Sequence, residues 1–242
     1  MNANFRIKDA ACDVERIKKR FFASKGENAV KNLKKNGFEA YYAENREQAA
    51  QLLLSLIPDG SLVGVGDSHT VYALDLDDAL DEKQCRKIPN IAALNLHRYA
   101  SCDEKRYKKA PTREEARAIL AEYLTSNVFL LGANAITMKG EIVNVDGVGN
   151  RVAGSCYGAD RIIVVAGVNK IVADEQAARE RIRFIAAPMD NLKYGRECAC
   201  VQTGVCPSCS SPDRICNITA IMHKRPMGSD FHVIIIGEEL GF

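Results

Sequence analysis

Four short, continuously apolar segments constrain the fold of this 242-residue chain more than any other feature. They read SLVGVG (residues 61–66), NVFLLG (127–132), RIIVVAG (161–167) and FHVIIIG (231–237). Strands buried on both faces have this composition, and such strands occur in parallel sheets that helices cover. Amphipathic segments alternate with them. The sequence therefore predicts an α/β fold, with a mainly parallel sheet flanked by helices.

The remaining elements follow from helical spacing, cap residues and turn residues. Residues 81–111 are polar and weakly periodic, with AALNLH as a candidate strand. We predict one α/β domain over residues 1–242, with an N-terminal helical segment at 1–37 and a cysteine-rich loop at 198–217. The predicted helices span 13–36, either continuous or interrupted at Gly26, then 45–58, Ser68 or Thr70 to Leu80, 112–124, 150–158, and 174–188 ending at Pro188. A strand is predicted at 38–43, and extended segments joined by turns are predicted at 132–147.

Composition and charge exclude several functional classes. The formal charge of +2 lacks the excess of Lys and Arg that phosphate binding requires, so no nucleic-acid partner is expected. No segment reaches the roughly 18 apolar residues of a membrane span, and the N-terminus has no apolar signal region. These features predict a cytoplasmic protein without membrane insertion. An odd total of nine cysteines in a reducing compartment favours thiolate chemistry or metal binding over disulfides.

The stretch CACVQTGVCPSCSSPDRICN, residues 198–217, contains five of these cysteines. Cys200, Cys206, Cys209 and Cys216 follow the pattern C-x5-C-x2-C-x6-C, and Cys198 is a further candidate ligand. Thiolates on a short loop can converge on zinc or an iron–sulfur cluster. Two alternatives are reduced thiols packed against the domain and a redox-active CxxC pair. The remaining cysteines are predicted to be buried as small apolar side chains: Cys12, Cys85, Cys102 and Cys156.

The turn GVGDSHT, residues 64–70, follows a predicted buried strand and begins a helix. Small residues allow a ligand to approach the backbone, and free amides at a helix start favour a phosphate or carboxylate. The alternative is a tight turn with an N-cap. His69 is a candidate acid, base or ligand, or an exposed loop residue. The candidate ligand-binding residues here are Gly64, Gly66, Ser68, His69 and Thr70.

A second polar segment, residues 134–151, precedes the strand RIIVVAG, which itself ends in the polar turn VNK. Both turns are expected at the carboxyl edge of the sheet, where α/β proteins bind ligands. We predict that they form one cleft with the first turn, placing Ser68 within a ligand's length of Asn150. Alternatively, the Asn and Asp side chains satisfy turn backbones. The further candidate ligand-binding residues are Asn134, Thr137, Asn144, Asp146, Asn150, Arg151, Asn169 and Lys170.

Several ordered motifs resemble the LUD-domain family of lactate utilisation, the LutC/YkgG-like group. They are NAITMKGEIVNVDGVGNRVAGSCYGADRIIVVAGVNKIV, then AAP, CVQTGVCPSCSSPDRICN and VIIIGEELGF. The resemblance runs from about residue 16 to the C-terminus. It implies a fold similar to the sugar-phosphate isomerase and CoA-transferase group, and the same site residues and cysteines named above. Asp67 and His69 depart from the family's usual Gly-Ser turn, and Cys198 is an extra cysteine.

The resemblance implies a component of an L-lactate-oxidising system that forms pyruvate together with iron–sulfur and flavin partner proteins. One alternative is a stand-alone enzyme or sensor that binds a sugar phosphate, an acyl-CoA or a similar small anion. Another is a non-catalytic scaffold. A homo-oligomer is compatible with each, and the sequence leaves open whether the chain catalyses a reaction alone.

Overall fold

The structure, a computed structural model, describes residues 13–88 and 112–242. The candidate strand AALNLH, Cys12 and Cys102 lie outside these residues. The helices are α1 (Val14–Lys35), α2 (Arg46–Ser55), α3 (His69–Tyr72), α4 (Asp77–Glu82), α5 (Arg113–Glu122), α6 (Asn150–Cys156), α7 (Glu175–Arg181), α8 (Ala187–Lys193) and α9 (Ala199–Thr203). The strands are β1 (Glu39–Ala43), β2 (Leu62–Val65), β3 (Arg86–Lys87), β4 (Val128–Gly132), β5 (Ala135–Thr137), β6 (Ile142–Asp146), β7 (Arg161–Gly167), β8 (Ile171–Val172), β9 (Ile218–Met222) and β10 (Asp230–Ile236).

A six-stranded sheet in the order β1-β10-β7-β4-β2-β3 forms the centre of the molecule. Each of its strand pairs is parallel. Strand β7 shows why its sequence is continuously apolar: Ile162 and Val164 contribute to one core cluster, while Ile163 and Val165 contribute to the other. Helix α1 packs on the first face and helices α2 to α4 pack on the second. The predicted α/β class is confirmed.

A smaller sheet, in the order β8-β5-β6-β9, was not predicted as a sheet. Strands β5 and β6 form the antiparallel pair expected for the turn at Lys139-Gly140, and Gly140 adopts φ +81°. The additional strands are β8, which has two residues, and β9, which lies within the polar C-terminal region. Ile136 and Ile142 of this sheet pack into the first core cluster. The small sheet therefore covers part of the same face as α1.

The structure decides between the alternatives for one predicted helix in the N-terminal half of the chain and corrects another. Helix α1 is continuous, because Gly26 is buried where the helix crosses Tyr42 and leaves no room for a side chain. The predicted helix from Ser68 to Leu80 is instead two helices, α3 and α4. Between them Asp75 adopts φ +50°, a left-handed conformation that cannot continue a helix and that Asp tolerates better than most residues.

The predicted end of a helix at Pro188 is wrong. A π-helical segment, Ile182–Ala186, connects α7 to α8, so the helical course continues to Lys193. In an uninterrupted α-helix, proline removes one hydrogen bond and its ring clashes with the preceding turn. The π segment changes the hydrogen-bond register immediately before Pro188, at the start of α8. As shown below, α8 contributes side chains to the candidate site.

No helix within residues 13–88 and 112–242 combines the length and the apolar character that crossing a bilayer requires.

Candidate functional site

A polar cleft lies where β2, β4 and β7 end, three adjacent strands of the large sheet. The strands are in parallel register, with Val65 opposite Leu130 and Gly132 opposite Val165. Gly132 is required at the end of β4, since a Cβ atom there would lie 2.5 Å from Ser68 Oγ. The cleft has a volume of about 290 Å³, which includes space open to solvent, and it is lined by Asp67, Ser68, His69, Gly132, Ala133, Asn134, Arg151, Lys170, Asp190 and Phe242.

A wider cleft of about 660 Å³ adjoins the first, and the two share Asp67, Arg151 and Asp190. Its other lining residues come from the turn after β2, the end of β6, the turn between β6 and α6, the start of α6, the end of α8 and the cysteine-rich loop: Gly66, Val145, Asp146, Gly147, Val148, Asn150, Tyr194 and Ile215. Ser68 lines the first cleft and Asn150 the second. The two polar turns therefore border adjoining clefts that share three lining residues.

Lys170 is the most deeply buried cation in the first cleft, with 4% of its surface exposed. Its Nζ donates a hydrogen bond to Thr70 Oγ1 at 2.9 Å. Burial, followed by the nearby charges of Arg181 and Arg151, lowers the pKa of Lys170 to about 7. Lys170 can therefore gain or lose a proton near neutral pH.

Arg151, at the start of α6, lies on the boundary between the two clefts. Its NH2 group donates to Asn134 Oδ1 at 2.9 Å and also to the carbonyl oxygen of Val145. Gly66 allows this position, because a Cβ atom there would lie 2.9 Å from Arg151 Cγ. The guanidinium group is thus held in place through one nitrogen, and its remaining N–H groups are suited to binding a carboxylate or phosphate.

Asp67 connects the turn after β2 to the end of α8. Its Oδ2 accepts hydrogen bonds from Lys193 Nζ at 2.8 Å and from the Tyr194 hydroxyl, and its Oδ1 accepts from the Tyr72 hydroxyl at 2.9 Å. The side chains of Asp67 and Lys193 are only 7% and 10% exposed. Asp67 also adopts φ +44°. A buried, multiply bonded carboxylate therefore fixes the wall of the cleft.

His69 lies at the mouth of the first cleft, where its ring packs against Phe242 with centroids 4.9 Å apart. Partial burial, and then the positive charge of Lys193, lowers the pKa of the imidazole below its ordinary value, although Asp67 acts in the opposite direction. The neutral imidazole is therefore favoured at neutral pH. In that form it can accept a proton from a bound ligand.

Thr70 and Asn169 hold the C-terminal segment against the sheet edge. Thr70 Oγ1 donates to the carbonyl oxygen of Leu240 at 3.2 Å. Asn169 Nδ2 donates to the carbonyl oxygen of Gly241 at 3.0 Å, and its Oδ1 accepts from the Leu240 amide at 3.2 Å. These contacts place Phe242 over the cleft.

The cysteine-rich loop follows α8 and includes the short helix α9, which was not predicted. Cys198 and Cys200 are buried. Burial is the main cause that raises the pKa of Cys200, and the charges of the four other thiol groups of the loop raise it further. All five sulfur atoms are therefore close enough to interact electrostatically. No three of these sulfur atoms lie within 4.8 Å of one another in the described part of the chain. A tetrahedral zinc site would hold its sulfur atoms about 3.8 Å apart, whereas a polynuclear cluster separates its thiolates further.

Contacts from both sides attach the cysteine loop to the body of the molecule. Asn191 of α8 donates to Cys200 Sγ at 3.7 Å and accepts from Cys198 Sγ at 3.6 Å. Arg214 donates to the carbonyl oxygens of Cys209 and Cys216 at 2.8 and 2.5 Å. Since Asn191 follows Asp190 in α8 and Ile215 lines the wider cleft, the loop and the cleft share two walls.

Comparison with known proteins identifies the family. A model of the LUD domain matches residues 26–236, most of the chain. The chain belongs to the LUD domain family. This family is associated with lactate utilisation. Among solved structures, a DUF162 family protein from Deinococcus radiodurans is similar to this LUD domain protein, with 11% identity, a TM-score of 0.46, and coverage of 90% of this chain and 97% of the other. No curated protein sequence matches the chain.

Besides Thr70 and Asn169, which line neither cleft, four predicted site residues of this LUD domain make structural contacts in place of, or in addition to, contact with the cleft. Gly64 lines neither cleft and packs against Phe129 and Tyr123, and Thr137 lines neither and donates to Glu141 Oε2 at 2.9 Å. The other two stabilise turns: Asn144 Oδ1 accepts from the Asn134 amide, and Asp146 accepts from the amides of Val148, Gly149 and Val152 at the start of α6. Asp146 nevertheless borders the wider cleft.

The residues that α8 contributes to the site were not predicted from the sequence. Asp190 borders both clefts, and burial is the main cause that raises the pKa of its carboxyl group. Lys193 forms the ion pair with Asp67. Neither stands in a recognisable motif, and both follow Pro188, where the helix was predicted to end. One prediction about a cysteine is also wrong: Cys85 is buried as expected, but Cys156 is exposed at the end of α6, whose inner side is occupied by Gly154 and Ser155.

Proposed function

We propose that this LUD domain protein is a subunit of an L-lactate-oxidising system, that its first cleft binds the small carboxylate anion, and that its cysteine loop carries an iron–sulfur cluster. The observation that carries the proposal is the position of Arg151 and Lys170 in the first cleft, which adjoins the wider cleft that Ile215 of the cysteine loop lines. Oxidation of lactate to pyruvate releases two electrons and two protons. The electrons would pass to iron–sulfur and flavin partner proteins.

The chemistry of the cleft suits a small 2-hydroxy or 2-oxo carboxylate. Arg151 offers a fixed guanidinium group for the carboxylate, and Lys170 offers a second donor that is charged when protonated. His69 and the neutral form of Lys170 are candidate acceptors for the proton of the lactate hydroxyl.

The cysteine loop suits a cluster held by Cys200, Cys206, Cys209 and Cys216, with Cys198 as an alternative ligand. When bound, such a cluster supplies one-electron transfer. We expect anaerobically purified protein to contain iron and acid-labile sulfide, and Cys209→Ser to lose both. Cys156→Ser is the control, because Cys156 is exposed on α6 outside the loop. Zinc without sulfide, or metal-free protein, would overturn this part of the proposal.

The cleft is tested by calorimetric titration with lactate, pyruvate, glucose 6-phosphate and coenzyme A. We expect pyruvate and lactate to bind, and Arg151→Gln to weaken that binding by about tenfold or more, the effect of losing a hydrogen bond to a charged group. The control is Arg20→Gln, which removes an exposed guanidinium group from α1. Unchanged affinity in Arg151→Gln, or no binding of either acid, would contradict the proposal.

A second candidate function is favoured by the size of the adjoining cleft. Its volume of about 660 Å³ is more than twice that of the first cleft, and its wall combines polar Asn150 with apolar Val148 and Ile215. A stand-alone enzyme or sensor for a sugar phosphate or an acyl-CoA would use this space, with Arg151 binding the phosphate. A preference for glucose 6-phosphate or coenzyme A in the same titration supports this alternative.

A further inference from the structure

Three potential metal ligands from separate parts of the chain meet beside the small sheet. Glu141 lies in the turn between β5 and β6, Glu175 is the first residue of α7, and His223 follows β9 directly. One ligand atom from each side chain lies within 4.8 Å of the other two. Among residues 13–88 and 112–242, no other group of three histidine, cysteine or carboxylate side chains has its ligand atoms this close together.

The imidazole lies between the two carboxylates. His223 Nδ1 is 3.2 Å from Glu141 Oε1 and 3.7 Å from Glu175 Oε1. One ring nitrogen thus faces two carboxylate oxygens, each from a different element. Oxygen and imidazole-nitrogen donors of this kind suit divalent ions such as Mn²⁺, Fe²⁺ and Zn²⁺.

The local charge also favours a bound cation. The Glu141 side chain is only 15% exposed, and among the described residues its sole ion-pair partner is His223. Glu175 has Arg179 as a further partner, at 3.9 Å. Two carboxylates this close experience mutual electrostatic repulsion. A divalent cation would compensate it.

A hydrogen bond from Thr137 also fixes the orientation of the Glu141 carboxylate. Thr137 Oγ1 donates to Glu141 Oε2 at 2.9 Å, which leaves Oε1 directed toward His223. Hydrogen bonds of this type fix the ligands of metal sites and strengthen binding. Thr137, which was predicted to bind a ligand in the cleft, therefore orients Glu141 instead.

We propose that Glu141, Glu175 and His223 bind one divalent transition-metal ion, at a site separate from the cysteine loop. Three protein ligands leave further coordination positions for water or for an exogenous ligand. The ion would join the β5–β6 turn and the end of β9 to the start of α7. This proposal does not depend on the function proposed for the cleft.

The test uses Mn²⁺ as the probe, because Mn²⁺ prefers oxygen and nitrogen ligands and the thiolates of the cysteine loop compete poorly for it. Binding is followed by the loss of the electron paramagnetic resonance signal of free Mn²⁺ during titration of the full chain. We expect saturation at one ion per chain. Electron spin-echo measurements on the bound ion should show coupling to an imidazole nitrogen.

Two variants test the ligands independently. Glu141→Gln keeps the size of the side chain, and His223→Ala alters a side chain that is 63% exposed, so the fold should tolerate both. Each is expected to weaken binding by about tenfold or more. The exposed Glu47→Gln on α2 is the control and should bind as the unmodified protein does. Absence of stoichiometric binding, or binding that survives both Glu141→Gln and His223→Ala, would overturn the proposal and leave the group as an ion-pair cluster.

Discussion

At the scale of single residues, Lys170 links the stability of the fold to pH. Its ammonium group is buried beside Thr70, and burial lowers its pKa from 10.5 to about 7. In the unfolded chain the lysine has its ordinary pKa. Between these two values the unfolded state binds more protons than the folded state, so the free energy of unfolding rises with pH over this interval.

We therefore predict that the free energy of unfolding increases by about 2 kcal/mol between pH 7 and pH 9 because of Lys170 alone. Lys170→Met should remove this increment, since methionine does not titrate. Lys31→Met, which alters an exposed lysine on α1, should retain it. Denaturant unfolding of the three proteins at both pH values measures the difference. An equal pH dependence in Lys170→Met and the unmodified protein would refute the prediction.

At the scale of elements, α1 depends on a glycine in its interior. A Cβ atom on Gly26 would lie 2.6 Å from Tyr42 Cε2 and 3.3 Å from a methyl group of Ile235. We predict that Gly26→Ala lowers the free energy of unfolding by about 1–3 kcal/mol, because overpacking outweighs the better helix propensity of alanine. Asn28→Ala, on the exposed face of α1, should instead raise it by about 0.5 kcal/mol. Thermal or denaturant unfolding measures whether each substitution lowers or raises the free energy of unfolding. Stabilisation by Gly26→Ala would contradict the prediction and show that Tyr42 can move to accommodate the added methyl group.

The composition of each strand explains which elements could be predicted from the sequence. Strands β4, β7 and β10 are apolar at nearly every position, so their own composition identifies them. Strand β8 has two residues and β9 is half exposed, so each is a strand only because it pairs with a neighbour. No local pattern carries that information.

The residues of the candidate site could likewise be predicted only in part from the sequence. Ser68, Asn134 and Lys170 could be predicted to meet, because parallel strands end at one edge of a sheet. Asp190 and Lys193 could not, since the π-helical segment that continues the helix into α8 has no sequence signature and Pro188 indicates an end. Predictions from strand ends therefore succeeded where the geometry of the sheet decides the position, and failed where a helix irregularity decides it.

At the scale of the whole molecule, the cysteine loop and the cleft are parts of one structural unit. Helix α8 presents Asp190 to the cleft and Asn191 to the loop cysteines. From the loop, Ile215 lines the wider cleft, and a Cβ atom on Gly147 would lie 3.0 Å from the Ile215 backbone. A change in order at one site can therefore be transmitted to the other through α8 and Ile215.

We predict that loading the loop with its proposed cluster tightens anion binding in the cleft by about fivefold or more. A ligated loop fixes Ile215 and α8 before the anion arrives, so less conformational entropy is lost on binding. The measurement compares the Kd for pyruvate in anaerobic, iron-loaded protein and in chelator-treated protein. Ile215→Ala is expected to reduce the difference, because it removes the side chain through which the loop reaches the cleft. Thermodynamic linkage requires the reciprocal effect, so saturating pyruvate should slow the loss of iron to a chelator. Equal Kd values for pyruvate in the iron-loaded and chelator-treated proteins would show that the loop and the cleft are not coupled.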